Sequence, residues 1–391
     1  MRILWGDGME PVVAVWRCET YTETEILRCI EEMFTALHIS PTLFVGKRVA
    51  LKPNLVMAKK PDAAATTHPA VLSALAKLLV RWGAREVVVV DSPGGPYTAV
   101  YLDNVYRTCG LTSLGDIPGV RLNDDFRFQS VPFPDGRTLH QATILQTILD
   151  CDILINVCKL KTHGLTGLSC ATKNLFGIIP GVEKFSMHAT FPKLEDFSDM
   201  LVDITEFVRA RMSYIALCDG IVGMEGNGPT HGEPVSCGVL MASENPYALD
   251  IVAEHCIGCT SPVVHLDKAY QRGRIHSRSF ADIQTVTEQN RTVPVTAFAP
   301  PEASAGRFLK GLSGIWGGRF AEIFAAKPKI LPDKCIGCGV CVRTCPAKTI
   351  TIQNKKAVIR EKNCIRCYCC QELCPHGAVG MKKNFWIRTV H

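Results

Sequence analysis

The sequence predicts an α/β protein with a mostly parallel β-sheet flanked by helices over residues 1–300, followed by a small α+β domain at residues 332–391. Apolar runs alternate with amphipathic stretches through the first 300 residues, a pattern typical of a parallel sheet covered by helices. The run Val87–Val90 is apolar at consecutive positions, which indicates a strand buried on both faces. Cysteines in two copies of one spacing set the C-terminal domain apart.

The same alternation predicts individual elements. Strands are expected at Arg48–Leu55, Glu86–Asp91, Ile153–Leu160, Tyr214–Asp219 and Gly238–Ala242. Amphipathic periodicity and end signals predict helices at Thr24–Leu37, capped by Thr24, and at His68–Trp82, ended by Gly83. Residues 301–331 are expected to form a connector whose basic amphipathic helix, Phe308–Phe324, packs between the domains. This stretch is too short and too polar to anchor the chain in a membrane by itself.

The cysteine motifs indicate iron–sulfur clusters. Each copy reads C-x2-C-x2-C-x3-C-P, the run of bacterial-type two-cluster ferredoxins, in which the fourth cysteine ligates the other cluster. The expected ligands are Cys335, Cys338, Cys341 and Cys374 for one 4Fe-4S cluster, and Cys364, Cys367, Cys370 and Cys345 for the second. Cys369 falls between ligand positions, because only Cys370 lies four residues before Cys374. Zinc knuckles are the alternative, but they give no reason for a repeated Cys-Pro ending.

Composition predicts the compartment. The chain has 391 residues, 47% hydrophobic and 20% charged, which suits a globular protein of two or three domains. Clusters together with scattered free cysteines point to a reducing environment. The first residues lack the apolar core of a signal peptide, and no apolar run reaches the length of a membrane span. A cytoplasmic protein without a membrane span is therefore expected.

Charge is distributed unevenly. Residues 332–391 carry a net charge of +8, whereas residues 1–331 carry −2. A basic electron-transfer face attracts acidic partners, so the expected partner is a small ferredoxin or flavodoxin. The lack of aromatic platforms and of a known motif argues against nucleic acid as the partner.

Polar residues stand repeatedly where predicted strands end, and ligands of open parallel sheets bind beyond those carboxyl ends. Lys159, Lys161 and His163 follow the third strand and share one face if the chain stays extended. A solvated edge protected by lysine is the alternative, although the preceding residues form a buried-type run. The candidate catalytic residues are His163, His188 and Lys161. The candidate substrate-binding residues are Lys52, Asn54, His68, Lys159, Lys173, Asn174, Lys184, Asp219 and Glu225.

This set favours an anionic ligand. Its lysines lack matching acids, which predicts a carboxylate or phosphate. The histidines could move protons near neutral pH, or could ligate a metal, although the sequence contains no tight His-x-x-x-His pair. Asp219 and Glu225 are predicted to lie on a glycine-rich loop that can approach an anion, but Asp-Gly is also a common turn. Cys256 and Cys259 form a lone C-x-x-C pair, better explained as buried cysteines near a helix end than as a metal site.

Several of these segments carry a family resemblance. They are Lys52-Pro-Asn54-Leu-Val, Thr67-His68-Pro69, Asp152 to His163, Lys173-Asn174-Leu-Phe-Gly177 and Asp219 to Pro229. They resemble the family known as domain of unknown function 362, many members of which carry the same C-terminal two-cluster ferredoxin domain. The resemblance implies an iron–sulfur protein of anaerobes with one shared pocket, and no settled reaction. Residues 241–246 depart from the Asp-rich turn expected before Asp250, which leaves any role of Asp250 open.

Three functions fit these features. The first is a ferredoxin-dependent oxidoreductase that reduces a small anionic organic substrate in the α/β domain, with two 4Fe-4S clusters as cofactors. A flavin motif is not visible, but the sequence leaves a flavin or an additional metal open. The second is a non-enzymatic electron carrier or docking subunit of a redox complex. The third is an assembly factor for a cofactor or for iron–sulfur clusters. Converging titratable groups favour the first.

Overall fold

A mixed nine-stranded sheet forms the centre of the protein. The computed structural model describes residues 11–304 and 326–382. The strands are β1 (Val12–Arg17), β2 (Arg48–Pro53), β3 (Glu86–Val89), β4 (Val120–Leu122), β5 (Phe128–Pro132), β6 (Gln141–Leu145), β7 (Ile153–His163), β8 (Gly167–Ser169), β9 (Ser213–Glu225), β10 (Glu233–Ser243), β11 (Gln284–Thr287), β12 (Lys327–Ile330), β13 (Ile350–Gln353), β14 (Lys356–Ile359) and β15 (Val379–Lys382). The central sheet has the order β11-β1-β10-β9-β7-β2-β3-β4, with β8 beside β7. Strands β9, β7, β2, β3 and β4 are parallel, which confirms the predicted mostly parallel sheet.

Helices cover both faces of the sheet. They are α1 (Glu23–Ala36), α2 (Pro69–Arg81), α3 (Ala99–Thr108), α4 (Gln146–Leu149), α5 (Ala171–Asn174), α6 (Glu183–Thr190), α7 (Leu194–Arg211), α8 (Pro246–Cys256), α9 (Val264–Gln271), α10 (Val340–Thr344) and α11 (Cys369–Glu372). Strand β7 alternates between the two hydrophobic cores. Ile155 and Val157 pack with residues of α1 and α2, whereas Leu154 and Cys158 pack with residues of α7 and α8. The burial of both faces explains the unbroken apolar run.

Strands β7 and β9 run further than predicted. Strand β7 continues to His163 because it turns back into β8, with Lys161 opposite Ser169. Strand β9 continues to Glu225, which pairs with Glu233 of β10. The predicted glycine-rich loop is therefore strand as far as Glu225, and only its residues 226–229 form a turn. In the adjoining strands, hydrogen bonds to a hairpin partner stabilise extended backbone despite the glycines.

The helix starts differ slightly from prediction. Thr24 lies inside α1, and Thr22 takes the N-cap position, so Thr24 is not the cap. His68 is the N-cap of α2, where its Nδ1 accepts the Ala70 N–H at 3.2 Å and Pro69 occupies the first turn. The predicted connector helix Phe308–Phe324 lies outside the described residues. Within residues 11–304 and 326–382, no helix is long and apolar enough to cross a membrane.

The cysteine-rich module forms two small antiparallel pairs of strands. Strand β12 pairs with β15 and β13 pairs with β14, and the short helices α10 and α11 lie between them. The module docks on the carboxyl ends of the parallel strands. Thr230 donates its hydroxyl to the backbone carbonyl of Glu372 at 2.7 Å, and Gly94 lies against Leu373. The small sheet-containing domain agrees with the predicted ferredoxin-like fold.

Candidate functional site

Four cysteines of the two motifs line one small cavity. They are the predicted ligands of the first cluster, Cys335, Cys338, Cys341 and Cys374, together with apolar neighbours such as Ile330 and Val379. Cys335 and Cys338 lie in one loop, Cys341 lies in the helix α10 that follows it, and Cys374 comes from the second motif. This exchange of the fourth cysteine is what a two-cluster arrangement requires. The residues present therefore fit a 4Fe-4S cluster in this cavity.

The second predicted set also converges. Burial raises the pKa of the Cys370 thiol, and the nearby charges of Cys367, Cys364 and Cys345 raise it further. Cys370 is buried and the other three cysteines are half-buried. Four thiolates gathered there repel one another unless cations offset their charge, as the iron of a bound cluster does. Cys369, beside this set, is buried, and its thiol is hydrogen-bonded to that of Cys367. Cys369 also lines a neighbouring cavity of the α/β domain.

Backbone amides support the cysteine sulfurs. Ala357 N–H donates to Cys335 Sγ at 3.4 Å, and Ala378 N–H donates to Cys374 Sγ at 3.2 Å. Thr349 N–H donates to Cys345 Sγ at 3.4 Å. Such hydrogen bonds stabilise thiolate charge and adjust the potential of an iron–sulfur cluster. The sequence does not signal them, because backbone donors leave no residue pattern.

A second cavity, of about 80 Å³, lies where the parallel strands meet the cysteine-rich module. We call it the lysine pocket. Eight predicted site residues line it: Lys52, Asn54, Lys161, His163, Lys173, Asn174, Lys184 and His188. They come from β2, β7, α5 and α6 and the segments that follow them. Its volume suits a few water molecules or a group the size of a carboxylate.

Lys52 is paired inside this pocket. Its Nζ lies 2.7 Å from Asp91 Oδ1, and both side chains are almost wholly buried. Asp91 also accepts the Leu55 N–H at 2.8 Å. The absence of a side chain at Gly177 makes room for this pair. A Cβ at position 177 would overlap the Asp91 carboxylate and come within 2.6 Å of Lys52 Nζ. The expectation that the lysines lack matching acids is thus wrong for Lys52.

The other three pocket lysines depend mainly on neutral oxygens and rings. Lys161 donates to Asn54 Oδ1 and to the Ala65 carbonyl, both at 2.7 Å. Lys184 donates to the Ser92 carbonyl at 2.7 Å. Burial lowers the pKa of Lys161 and of Lys184 to about 7. Both lysines are therefore poised between charged and neutral forms, and a bound anion would favour the charged form.

Lys173 completes the basic lining. Its Nζ lies 4.9 Å from the centre of the Phe176 ring, a distance suited to a cation–π contact. Burial lowers the pKa of Lys173. Among the described lining residues, four lysines face two carboxylates, those of Asp91 and Glu372. The pocket thus contains more lysines than carboxylates, although the sequence predicted no carboxylates beside these lysines.

The two pocket histidines differ in environment. His163 Nδ1 accepts the Leu165 N–H at 3.0 Å, which places the ring proton on Nε2 in the neutral form. His163 Nε2 lies 3.4 Å from Glu372 Oε1. His188 stacks on Phe197 with ring centres 4.5 Å apart. Burial, together with the charge of Lys173, lowers the pKa of His188 to about 3, so its imidazole is neutral at physiological pH.

Four predicted site residues lie outside the lysine pocket. Lys159 Nζ forms a buried ion pair with Asp219 at 2.8 Å and also contacts Tyr21. Asp219 accepts the His68 N–H at 2.9 Å, and the His68 ring stacks on Tyr21. Glu225 accepts the Ala299 N–H at 2.8 Å. Lys159 and Asp219 lie earlier along their strands than Lys161 and Glu225, where they contact Tyr21 and His68, residues that precede α1 and α2.

The candidate site residues omitted several lining residues. Asp91 and Ser92 follow β3, and they stand at the end of a predicted strand but were not included in the candidate set. Cys369 and Glu372 come from α11 of the cysteine-rich module. Polar residues after a parallel strand were a usable signal for the first two. Nothing in the sequence indicates which face of a separate module meets the sheet.

Asp250, whose role was left open, holds the segment next to the pocket. It accepts the Ala171 N–H at 2.7 Å and the Thr172 N–H at 3.0 Å. These residues begin α5, which carries Lys173 and Asn174 into the pocket. Cys256 is the last residue of α8, and its thiol contacts Met241 Sδ. The Cys259 thiol instead contacts the Ser261 carbonyl, so these two cysteines do not form a joint site.

Comparison with known proteins identifies both parts of the chain. Residues 49–255 match the model of a domain of unknown function, DUF362, and residues 334–378 match a 4Fe-4S dicluster domain. A thylakoid-associated protein of Synechocystis sp. is 32% identical over 243 residues, which cover 61% of this chain and 72% of that protein. An uncharacterized protein of Methanocaldococcus jannaschii is 40% identical over 61 residues, 16% of this chain and 23% of its own length.

Solved structures resemble the chain only distantly. A structural-genomics protein from Thermotoga maritima has a TM-score of 0.37 at 11% identity, covering 66% of this chain and 60% of its own. The lactate racemase apoprotein of Thermoanaerobacterium thermosaccharolyticum has a TM-score of 0.36 at 15% identity, covering 60% of this chain and 54% of its own. The family match spans the sheet strands β7 and β9 and most of the lysine pocket. The chain therefore belongs to the DUF362 family and is an iron–sulfur electron-transfer protein with a 4Fe-4S dicluster domain.

Proposed function

We propose that the protein is a ferredoxin-dependent oxidoreductase that reduces a small anionic organic substrate in the lysine pocket. The observation that carries this proposal is the position of the pocket. It is lined by buried lysines on the α/β side and by Cys369 and Glu372 on the side of the cysteine-rich module. Residues of the second cysteine motif thus form part of the lining of the proposed substrate pocket.

The second cysteine motif supports delivery of electrons to this place. Helix α11 contains Cys370, a predicted ligand of the second cluster, and also contributes two residues to the pocket lining. When bound, the two 4Fe-4S clusters supply electrons one at a time, which suits a two-electron reduction. A cytoplasmic location, where thiols stay reduced, belongs to this proposal.

The surface around the first cysteine motif supports the binding of an acidic partner protein. Cys338 and the apolar side chain of Ile336 are exposed there, and Ile336 has 63% of its surface accessible. Exposed basic residues of the same module are Lys329, Lys334, Arg343, Lys348, Lys355, Lys356, Arg360, Lys362 and Lys382. An apolar contact surrounded by positive charge suits a small acidic ferredoxin or a flavodoxin.

Within the pocket, the lysines bind the substrate, and the two histidines interact with its polar groups. Lys161, Lys173 and Lys184 offset the negative charge of the substrate in a low-dielectric place, where ionic contacts are strong. His163 presents Nε2–H toward Glu372 and the cavity, which suits proton donation. The neutral His188 can donate a hydrogen bond, but its low pKa makes it a weaker candidate for supplying a proton than Lys161.

A single-turnover experiment tests the proposal. The protein is reduced anaerobically with dithionite, freed of excess reductant and mixed with a panel of small carboxylates and organic phosphates. Reoxidation is followed by visible absorbance. A substrate should reoxidise the wild type, whereas Lys161→Ala and His163→Ala should lose the reaction with iron content intact. Lys77→Ala, at an exposed surface ion pair, is the matched control.

The outcomes separate the three functions. Unchanged turnover in Lys161→Ala would place the reaction elsewhere. Rapid electron exchange with a ferredoxin and no reoxidation by any anion of the panel would favour the electron-carrier alternative. Loss of clusters to an apo-acceptor without turnover would favour the assembly factor.

A further inference from the structure

Three buried cysteines converge in the core of the α/β domain. Cys158 lies in β7, Cys218 lies in β9, and Cys170 follows β8. Cys158 Sγ and Cys218 Sγ each lie 3.5 Å from Cys170 Sγ, and all three sulfurs lie within 4.8 Å of one another. None of the three belongs to the predicted iron–sulfur motifs. We call this group the cysteine triad.

The backbone holds the triad in place. Cys158 and Cys218 are direct partners in the register of the parallel strands β7 and β9, so their side chains emerge side by side from one face of the sheet. Cys170 approaches that face from the turn into α5. The two hydrogen bonds from Ala171 N–H and Thr172 N–H to Asp250 fix this turn. The three thiols are therefore positioned by separate rigid elements before any ligand binds.

The spacing matches a metal site. Zinc–sulfur bonds of about 2.3 Å in tetrahedral directions place two thiolate sulfurs about 3.8 Å apart. The observed 3.5 Å separations need only a small adjustment to reach this value. Soft thiolate ligands select thiophilic ions such as zinc and monovalent copper over hard cations.

Two other buried cysteines of the chain, Cys151 and Cys109, make different contacts. Cys151 directs its thiol to the Thr147 carbonyl at 3.1 Å, and Cys109 directs its thiol to the Met57 carbonyl at 3.8 Å. Each acts as a small apolar residue with a weak donor, as free buried cysteines usually do. The triad thiols contact one another, and Cys158 Sγ also lies 3.7 Å from the Leu217 carbonyl. In the described part of the chain, this is the group of three His, Cys, Asp or Glu residues whose ligand atoms lie close enough to share an ion.

We propose that Cys158, Cys170 and Cys218 bind one thiophilic d10 metal ion, Zn(II) or Cu(I), through three thiolates. The site is separate from the iron–sulfur motifs and does not depend on the proposed oxidoreductase activity. It lies just behind the lysine pocket, because Ser169, which lines that pocket, immediately precedes Cys170. A bound ion would tie β7, β9 and the start of α5 together and so stabilise the wall that carries Lys173.

Metal analysis with X-ray absorption tests this site. The full chain is purified anaerobically with its iron content measured, incubated with equimolar Zn(II) or, in a second arm, Cu(I), and desalted. One of the two metals should remain at a single equivalent, with three sulfur neighbours at about 2.3 Å for zinc. Cys170→Ala should lose that metal while its iron content stays unchanged. Cys109→Ala, which removes a buried thiol outside the triad, should retain it.

Three results would overturn the proposal. The first is retention of the same metal by Cys170→Ala. The second is a coordination shell of four sulfurs, which would indicate iron-depleted ferredoxin-type cysteines, and the third is failure of the wild type to retain either metal. The absorption spectrum of the unaltered chain decides the question even if Cys170→Ala does not fold, because the number of sulfur neighbours separates the triad from a four-cysteine site.

Discussion

Glu372 Oε1, from the cysteine-rich module, lies 3.4 Å from His163 Nε2 at the tip of β7. This contact joins the second cysteine motif to the strand that carries Lys161. Glu372 has only 13% of its side chain exposed, and Leu373 beside it lies against Gly94. The cysteine-rich module therefore completes the lysine pocket as well as carrying the clusters, so neither part of the chain forms this site alone.

Cluster content should depend on the motif cysteines and not on their neighbour Cys369. Cys338→Ser and Cys367→Ser should each lose or destabilise one cluster, lowering iron from about eight to about four atoms per chain. Cys369→Ser should keep full iron, because its thiol lines the lysine pocket and it lies outside the ligand spacing. Iron analysis of anaerobically purified protein measures this. Iron near eight in both ligand variants would disprove the assignment.

Anion binding should weaken as pH rises above neutrality. Lys161 and Lys184 have pKa values lowered to about 7, so each carries its charge below that pH and loses it above. With sulfate as the probe, affinity should be flat below pH 6 and fall about tenfold per pH unit for each lysine required in its charged form. Calorimetric titration measures this fall.

A lysine variant provides the control for this pH dependence. Lys161→Met should weaken binding and reduce the slope with pH, whereas Lys77→Met should leave both unchanged. The same affinity for sulfate at pH 6 and pH 9 in the wild type would contradict a binding role for these lysines.

Gly177 should tolerate no side chain. Gly177→Ala places a Cβ against the buried Lys52–Asp91 pair, and we expect a loss of about 3–5 kcal/mol, the range for breaking a buried ion pair. Gly115→Ala is the matched control, since Gly115 also lies in a 3₁₀ helix and has no atom within 4 Å of the added Cβ. That variant should be neutral or gain up to about 1 kcal/mol from reduced unfolded-state entropy. Urea unfolding midpoints compare the two.

Asp219 should contribute to stability and not to anion binding. Asp219→Ala leaves Lys159 buried without its partner, which should cost about 3–5 kcal/mol. The remaining folded protein should bind sulfate as the wild type does, because Asp219 lies outside the lysine pocket. The exposed Asp116→Ala serves as the control for urea unfolding. A large fall in the sulfate affinity of Asp219→Ala without a change in its unfolding midpoint would contradict this, and would indicate that Asp219 contributes to anion binding.

The sequence allowed the central sheet to be predicted because buried parallel strands leave continuous apolar runs, as in Val87–Val90. It did not reveal the ends of β7 and β9, since these depend on hairpin partners. Lys161 was predicted at a strand end, and the structure places it in the lysine pocket. Lys159 was predicted beside it because the two residues share one face of β7, but Lys159 pairs with Asp219 outside the pocket. The contributions of Glu372 and Cys170 arise from tertiary packing, which local pattern and spacing do not record.

The most direct test of the central claim is an anaerobic crystal structure of the protein as purified. We expect iron–sulfur density at Cys370 and its partner cysteines, and an anion in the lysine pocket that contacts Lys161 and Lys173. A pocket that stays closed or holds only water after soaking with sulfate would contradict the substrate site. Absence of a cluster beside helix α11 would contradict electron delivery to it.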